Sequence, residues 1–195
     1  MPNIDDFSTL GKSVHALVNY KLNGHNIDSL LKNADKDVLE HWEKLISSKI
    51  FEHKPILTEW GFDCRIGNTE YWLNGRIDAV FHDEKNNKYI IADWKTGKNI
   101  PKDEDTSYQS MVYLYAFYSA QKDLGVELLP SQVEFQYIST KSDEIIPPIV
   151  YSEEKHKIFE ERFLDLIDRI NKLEKEPEVN GCNEKFCEYS FICNK

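Results

Sequence analysis

A chain of 195 residues that is 41% hydrophobic is long enough to bury a substantial core, and its 30% charged content excludes a disordered or fibrous protein. A formal net charge of −10 excludes general attraction as a way of holding a polyanion, so a nucleic acid would need a local basic channel or divalent cations. No apolar stretch approaches the roughly 18 residues needed to span a bilayer. The opening MPNIDDFSTLGK, with two acids and no apolar run, does not read as a signal peptide. The expected compartment is the cytoplasm, where the four cysteines read as free thiols or metal ligands before disulfides.

In chain order, Leu10, Val14, Leu17 and Val18 recur at helical spacing and predict an amphipathic helix over Thr9–Tyr20, with His15 one position off its apolar stripe. A second helix is predicted from Asp28, as its cap, to about Ser47, burying Leu30, Leu31, Val38, Leu39, Trp42 and Leu45. The period then changes. Ile56–Cys64, Thr69–His82 and Lys88–Lys95 read as strands, with turns at Gly67-Asn68 and over Asp83–Asn87, which predicts an antiparallel meander. The run Ile90-Ile91-Ala92 predicts a strand buried on both faces. Glu104–Lys122 reads as a long helix whose aromatics Tyr113, Tyr115, Phe117 and Tyr118 read as core rather than as a stacking platform. Val133–Thr140 reads as a strand. Glu153–Glu174 reads as a helix with Ile158, Phe159, Phe163, Leu166, Ile167 and Ile170 on one side, ended by Pro177. With no repeat or linker, the reading is one α/β domain over residues 1–195 with a mixed central sheet and a cysteine-containing tail at 180–195.

The stretch GRIDAVFHDEKNNKYIIADWKTGK, from Gly75 to Lys98, holds the chemistry. Asp93 and Lys95 lie two apart on one strand and so share a face, and a hairpin can bring Asp78 of the preceding strand beside them. Two carboxylates with a few waters suit Mg²⁺ or Mn²⁺. A cation there would activate water and offset phosphate charge, and a neighbouring ammonium could orient or deprotonate that water. An isolated D-x-K is usually a surface pattern, and a lone histidine on a helix is usually an ordinary one.

The surroundings separate this case from those. GRIDAV followed by IADWKTGK, the G-K-S-V-H of the first helix and Gln109-Ser-Met-Val-Tyr113 together resemble the motifs of PD-(D/E)XK nucleases of the RecB type, in the family's order from Gly11 to Tyr113. The resemblance implies a restriction-endonuclease-like α/β fold and a metal-dependent DNA nuclease, an exonuclease on single strands or DNA ends. It implies His15, Asp78, Asp93 and the Trp94 carbonyl as metal ligands, Asp78, Asp93 and Lys95 as the catalytic set, and Gln109 and Tyr113 as contacts to DNA or to the lysine. Glu59 is a further family-like acid with no firm role. Gln109 and Tyr113, at i and i+4, also read as a plain polar pair on one helix face.

Cys182-x4-Cys187-x5-Cys193 resembles the C-terminal cysteine cluster of iron–sulfur members such as AddB and the CRISPR-associated RecB-like exonucleases. No cysteine precedes His15 to supply a fourth ligand, and Cys64 reads as a buried thiol. Three readings stay open for the tail: a [4Fe–4S] cluster, zinc, or no metal. The chain has no P-loop, so a helicase, or a recombination or repair partner, would be a separate protein. Rival readings of the whole chain are a sequence-specific endonuclease, a catalytically silent nucleic-acid-binding or assembly module that keeps the fold, and a small interaction protein built round the cysteine tail.

Overall fold

The computed structural model describes residues 4–97, 100, 107–141 and 146–172. The first helix, α1, spans Ile4–Leu22 and is longer than its periodic stretch. It buries Val14, Leu17 and Val18, the stripe the spacing predicts. The single second helix expected from Asp28 is two, α2 over Asp28–Lys32 and α3 over Lys36–Ile46. Asn33 closes α2 and Asp35, in extended conformation, opens α3. Both residue types satisfy helix ends better than helix interiors, which places the break. Asp28 is therefore not a cap: Ile27 precedes α2, and Leu30, expected inside, is 44% exposed.

Five strands form one sheet in the order β1–β2–β3–β4–β5. They are β1 (Lys54–Arg65), β2 (Trp72–Asp83), β3 (Lys88–Lys95), β4 (Val133–Ser139) and β5 (Ile149–Val150). The first three are the expected antiparallel meander, β4 joins β3 in parallel, and β5 returns antiparallel to β4. The sheet is thus mixed, as expected. The β2–β3 turn is fixed by Asp83, whose Oδ1 accepts the backbone N–H groups of Lys85 and Asn86 while Oδ2 accepts the Asn86 amide. Gly67, at φ +50°, makes the β1–β2 turn, where an added Cβ would fall 2.6 Å from Glu160 Oε1.

The two faces of the sheet are covered differently. Ala79, Phe81, Ile90, Ala92, Trp94 and Ile138 pack with Val14, Leu17 and Val18 of α1 and Val38, Trp42 and Leu45 of α3. On the other face lies α4 (Tyr108–Ser119), where Tyr113 meets Phe135 and Phe117 meets Tyr89. Tyr115 and Phe117 are buried, as core residues should be. Ser107 caps α4 by accepting the Ser110 N–H. The last described helix, α5, covers Glu153–Lys172 and leaves Ile158 and Ile170 exposed, so its buried stripe is narrower than the periodicity predicts. By compactness the chain divides into Met1–Glu160 and Glu161–Lys195. The sheet and the cleft described next belong to the first unit. No helix of the described residues is long and apolar enough to cross a membrane.

Candidate active site

The site forms where the pairing of β2 with β3 stops. That ladder ends at Ala79↔Ala92, so Asp78 and Asp93 are the next residues outward on each strand. There the backbone N–H of Trp94 turns to the Asp78 side chain, donating to Oδ2 at 3.0 Å. Asp78 thereby replaces a ladder bond with a side-chain bond and is held beside Asp93. On its other flank, the pairs Thr58↔Ala79 and Trp60↔Ile77 bracket Glu59 and Asp78. Three adjacent strands therefore bring three carboxylates into one row.

α1 supplies the imidazole. His15 Nε2 lies 3.1 Å from the Trp94 carbonyl and Nδ1 lies 3.4 Å from Asp78 Oδ1. With Nε2 donating to the carbonyl, a neutral ring would turn a lone pair toward the carboxylate. Burial of His15 works against its charged form, but the hydrogen bond and charge of Asp78, the Trp94 carbonyl and Asp93 together outweigh it, and its pKa is raised. The ring thus touches the two oxygen groups, Asp78 and Trp94 O, that the sequence nominated beside it.

Lys95 and Gln109 close the other side. The Lys95 ammonium is 2.7 Å from Asp93 Oδ2 and donates to Gln109 Oε1 at 2.8 Å. Gln109 Nε2 donates to Asp93 Oδ1 at 2.7 Å and reaches Tyr113 Oη at 3.2 Å, and Tyr113 donates to the Arg76 carbonyl at 2.7 Å. The Lys95 ammonium also lies 5.3 Å from the centre of the Tyr137 ring, a cation–π distance. Asp93 is 3% exposed, and burial first and the Asp78 charge second raise its pKa, against the pull of Lys95. Its Oδ2 already faces the Lys95 ammonium. The second carboxylate beside it, Asp78, still makes this an environment a divalent cation would stabilise further.

Sequence reasoning gave Glu59 no role and did not single out Arg76. One ligand atom each from His15, Glu59 and Asp78 lie within 4.8 Å of one another. Arg76 Nε pairs with Glu59 Oε2 at 3.1 Å. Both line a cleft of about 620 Å³ with Lys12, His15, Asn19 and Asp78. The signal that could have found Glu59 is the strand register, which the sequence does not print. The oxygen-rich donors with one imidazole suit a hard divalent ion, so the residues present fit Mg²⁺ or Mn²⁺.

His15, Asp78, Asp93, Trp94, Lys95, Gln109 and Tyr113 are all brought together. Cys182, Cys187 and Cys193 lie outside the described residues. Cys64 is a buried free thiol, its pKa raised by burial.

The profile of the PD-(D/E)XK nuclease superfamily matches residues 2–194. No curated protein matches the chain. Among solved structures, one titled "Crystal structure of SSO0001" is 19% identical, with 94% of this chain and 84% of that chain covered and a TM-score of 0.39.

Proposed function

The chain belongs to the PD-(D/E)XK nuclease superfamily, and on that premise we propose that it hydrolyses phosphodiester bonds of DNA, as a RecB-type exonuclease acting on single strands or at duplex ends. The observation that carries this reading is the Lys95 ammonium, fixed by Asp93 and Gln109 at the mouth of the acidic row. His15, Asp78, Asp93 and the Trp94 carbonyl would hold Mg²⁺ or Mn²⁺. When bound, such a cation supplies charge to the phosphate and acidifies a water.

The protein's own residues do the rest. Lys95 is placed to orient the attacking water and to stabilise charge on the phosphate as it becomes pentacoordinate. Gln109 holds Lys95 and Asp93 at once, so it fixes the distance between ammonium and carboxylate. Lys12 lines the cleft beside the acids and Arg76 lies there paired with Glu59, so in a chain whose net charge is −10 divalent cations would carry most of the compensation for phosphate.

The test is cleavage of end-labelled single- and double-stranded DNA with Mg²⁺, Mn²⁺ or EDTA, by wild type and Lys95→Ala. Metal-dependent cleavage lost in the variant is expected, and the product ladder gives polarity. Well-folded wild type that cleaves no substrate with either metal would sink the proposal in favour of a silent binding module.

A further inference from the structure

The outer half of the β1–β2 hairpin has one face open to solvent. Strand alternation puts Trp72, Asn74 and Arg76 of β2 on that face, with their partners Arg65, Asp63 and Gly61 of β1, and all of them are exposed. The alternate residues Phe62, Cys64 and Ile77 are buried. The open face begins at the cleft, which Arg76 lines together with Asp78. It ends at Trp72, about 20 Å along the strand from Asp78, which is the span of a few nucleotides of extended single strand.

The far end of this face holds an indole and a free cation. Trp42 and Trp94 are buried and Trp60 is half-buried, whereas Trp72 is 56% exposed. The guanidinium carbon of its cross-strand partner Arg65 lies 5.2 Å from the centre of the indole ring, a cation–π distance. Glu59 holds Arg76, but no carboxylate among the described residues is within ion-pair distance of Arg65. A single exposed aromatic needs no explanation by itself. An indole steadied on one side by an unpaired guanidinium, at the end of an open strip that starts at the cleft, is a surface on which a base can stack. Arg65 and Trp72 also border a hollow of about 590 Å³ with Asp63, Asn68, Tyr118 and Asp123. That is room for one base, and its carboxylates suit the N–H groups of a base edge better than a phosphate.

We infer that Trp72, steadied by Arg65, is a stacking platform for a base of single-stranded DNA, and that the strand runs from the cleft outward over β2. The inference rests on the nuclease reading above, since a strand in the cleft is what brings bases over this face. Asp63 keeps the strip from attracting phosphates generally, so the grip is on the base. Bases inside a duplex are stacked on one another and offer no free face to the indole, which restricts the platform to single strands.

The experiment is fluorescence anisotropy of labelled oligonucleotides with Mg²⁺, in a Lys95→Ala parent that is expected to leave them uncut. The parent is compared with its Trp72→Ala and Trp72→Phe derivatives, each checked by circular dichroism. The probes are an oligothymidylate of about 16 residues, an abasic strand of the same length and charge, and a blunt duplex. Trp72→Ala is expected to weaken oligothymidylate binding by about fivefold to a hundredfold, the effect of losing one base–aromatic stack, and Trp72→Phe to keep most of the affinity. The abasic strand and the duplex are expected to bind alike with and without Trp72. Unchanged oligothymidylate affinity in Trp72→Ala, or an equal loss on the abasic strand or the duplex, would overturn the inference while leaving the nuclease reading intact. Bound oligothymidylate should also quench tryptophan emission more in the parent than in Trp72→Phe, and equal quenching overturns the inference even if Trp72→Ala fails to fold. Strands held through Trp72 but never cleaved by wild type would remove the nuclease reading alone, and wild type that neither binds nor cleaves any probe would remove both.

Discussion

Lys95 is gripped at both ends. Its ammonium is fixed by Asp93 and Gln109, and its carbonyl accepts from both the backbone N–H of Thr140, at 3.0 Å, and the Thr140 hydroxyl, at 3.2 Å. A group fixed in this way costs little ordering at the moment of reaction, which is where positioning lowers a barrier. Gln109→Ala removes one of the two contacts to the ammonium and one to Asp93. It is expected to lower kcat by about 10–100-fold with a smaller change in KM, since a misplaced group costs that much without altering substrate grip. Steady-state cleavage rates check it, and an equal loss in KM alone would mean that Gln109 binds DNA instead. Arg76 and Glu59 show why residue-level reading from sequence stops where it does. GRID and ADWK announce themselves as strings, whereas Glu59 becomes relevant only through the register of β1 on β2, with an irregularity between Pro55 and Leu57. Nothing in TEWG prints that register.

At the scale of elements, α3 braces the strand end that carries Lys95. It packs Trp42 and Leu45 onto the sheet and bonds His41 to the hydroxyl of Thr140, the residue that holds the Lys95 carbonyl. Leu45 is fully buried, so Leu45→Ala is expected to destabilise the fold by about 2–5 kcal/mol in urea unfolding. His41 gives a pH signature. Burial, then the charge of Lys141, lowers its pKa from the ordinary 6.5. A base with a depressed folded pKa binds fewer protons folded than unfolded. Its contribution is therefore complete above 6.5, is lost as pH falls through that value, and levels off below the folded pKa. Thermal unfolding at pH 7.5 and pH 5.5 should show a smaller drop in His41→Gln than in wild type, and equal drops would refute the assignment. Element boundaries divide along the same lines. β3 was legible to the residue, because eight positions of unbroken β-type pattern lie between a polar turn and the lysine motif. The split between α2 and α3 was not, because periodicity runs across Asn33–Asp35 and only the end chemistry of those residues marks the gap. β5, two residues long, is too short to have a period.

For the whole molecule, the sheet sandwiched between α1/α3 and α4 was legible as a class, since helix and strand periods alternate along the chain. Its charge was legible as a difficulty, and the basic residues lining the cleft are Lys12 and Arg76, the latter paired with Glu59. Few basic groups reaching DNA predict a shallow salt dependence. The logarithm of KM against the logarithm of KCl concentration should have a slope of about 2 or less if two side chains meet phosphates, and a slope well above that would place a larger basic surface elsewhere. The tail is open to a direct test. Protein purified without oxygen should show broad visible absorption and bound iron if Cys182, Cys187 and Cys193 help to hold a cluster. A colourless, iron-free and zinc-free sample would leave them as plain thiols.

The bond from the Trp94 N–H to Asp78 Oδ2 makes this acid a structural stop as well as a proposed metal ligand. Acids clustered at an active centre ordinarily repel, and deleting one commonly raises stability at the expense of activity. Asp78→Ala would instead strand a main-chain donor on a residue that is 3% exposed, at a cost of about 1–3 kcal/mol. Loss of function at this position is therefore coupled to loss of fold. A lineage drifting toward an inactive scaffold would shed Lys95 long before it could part with Asp78.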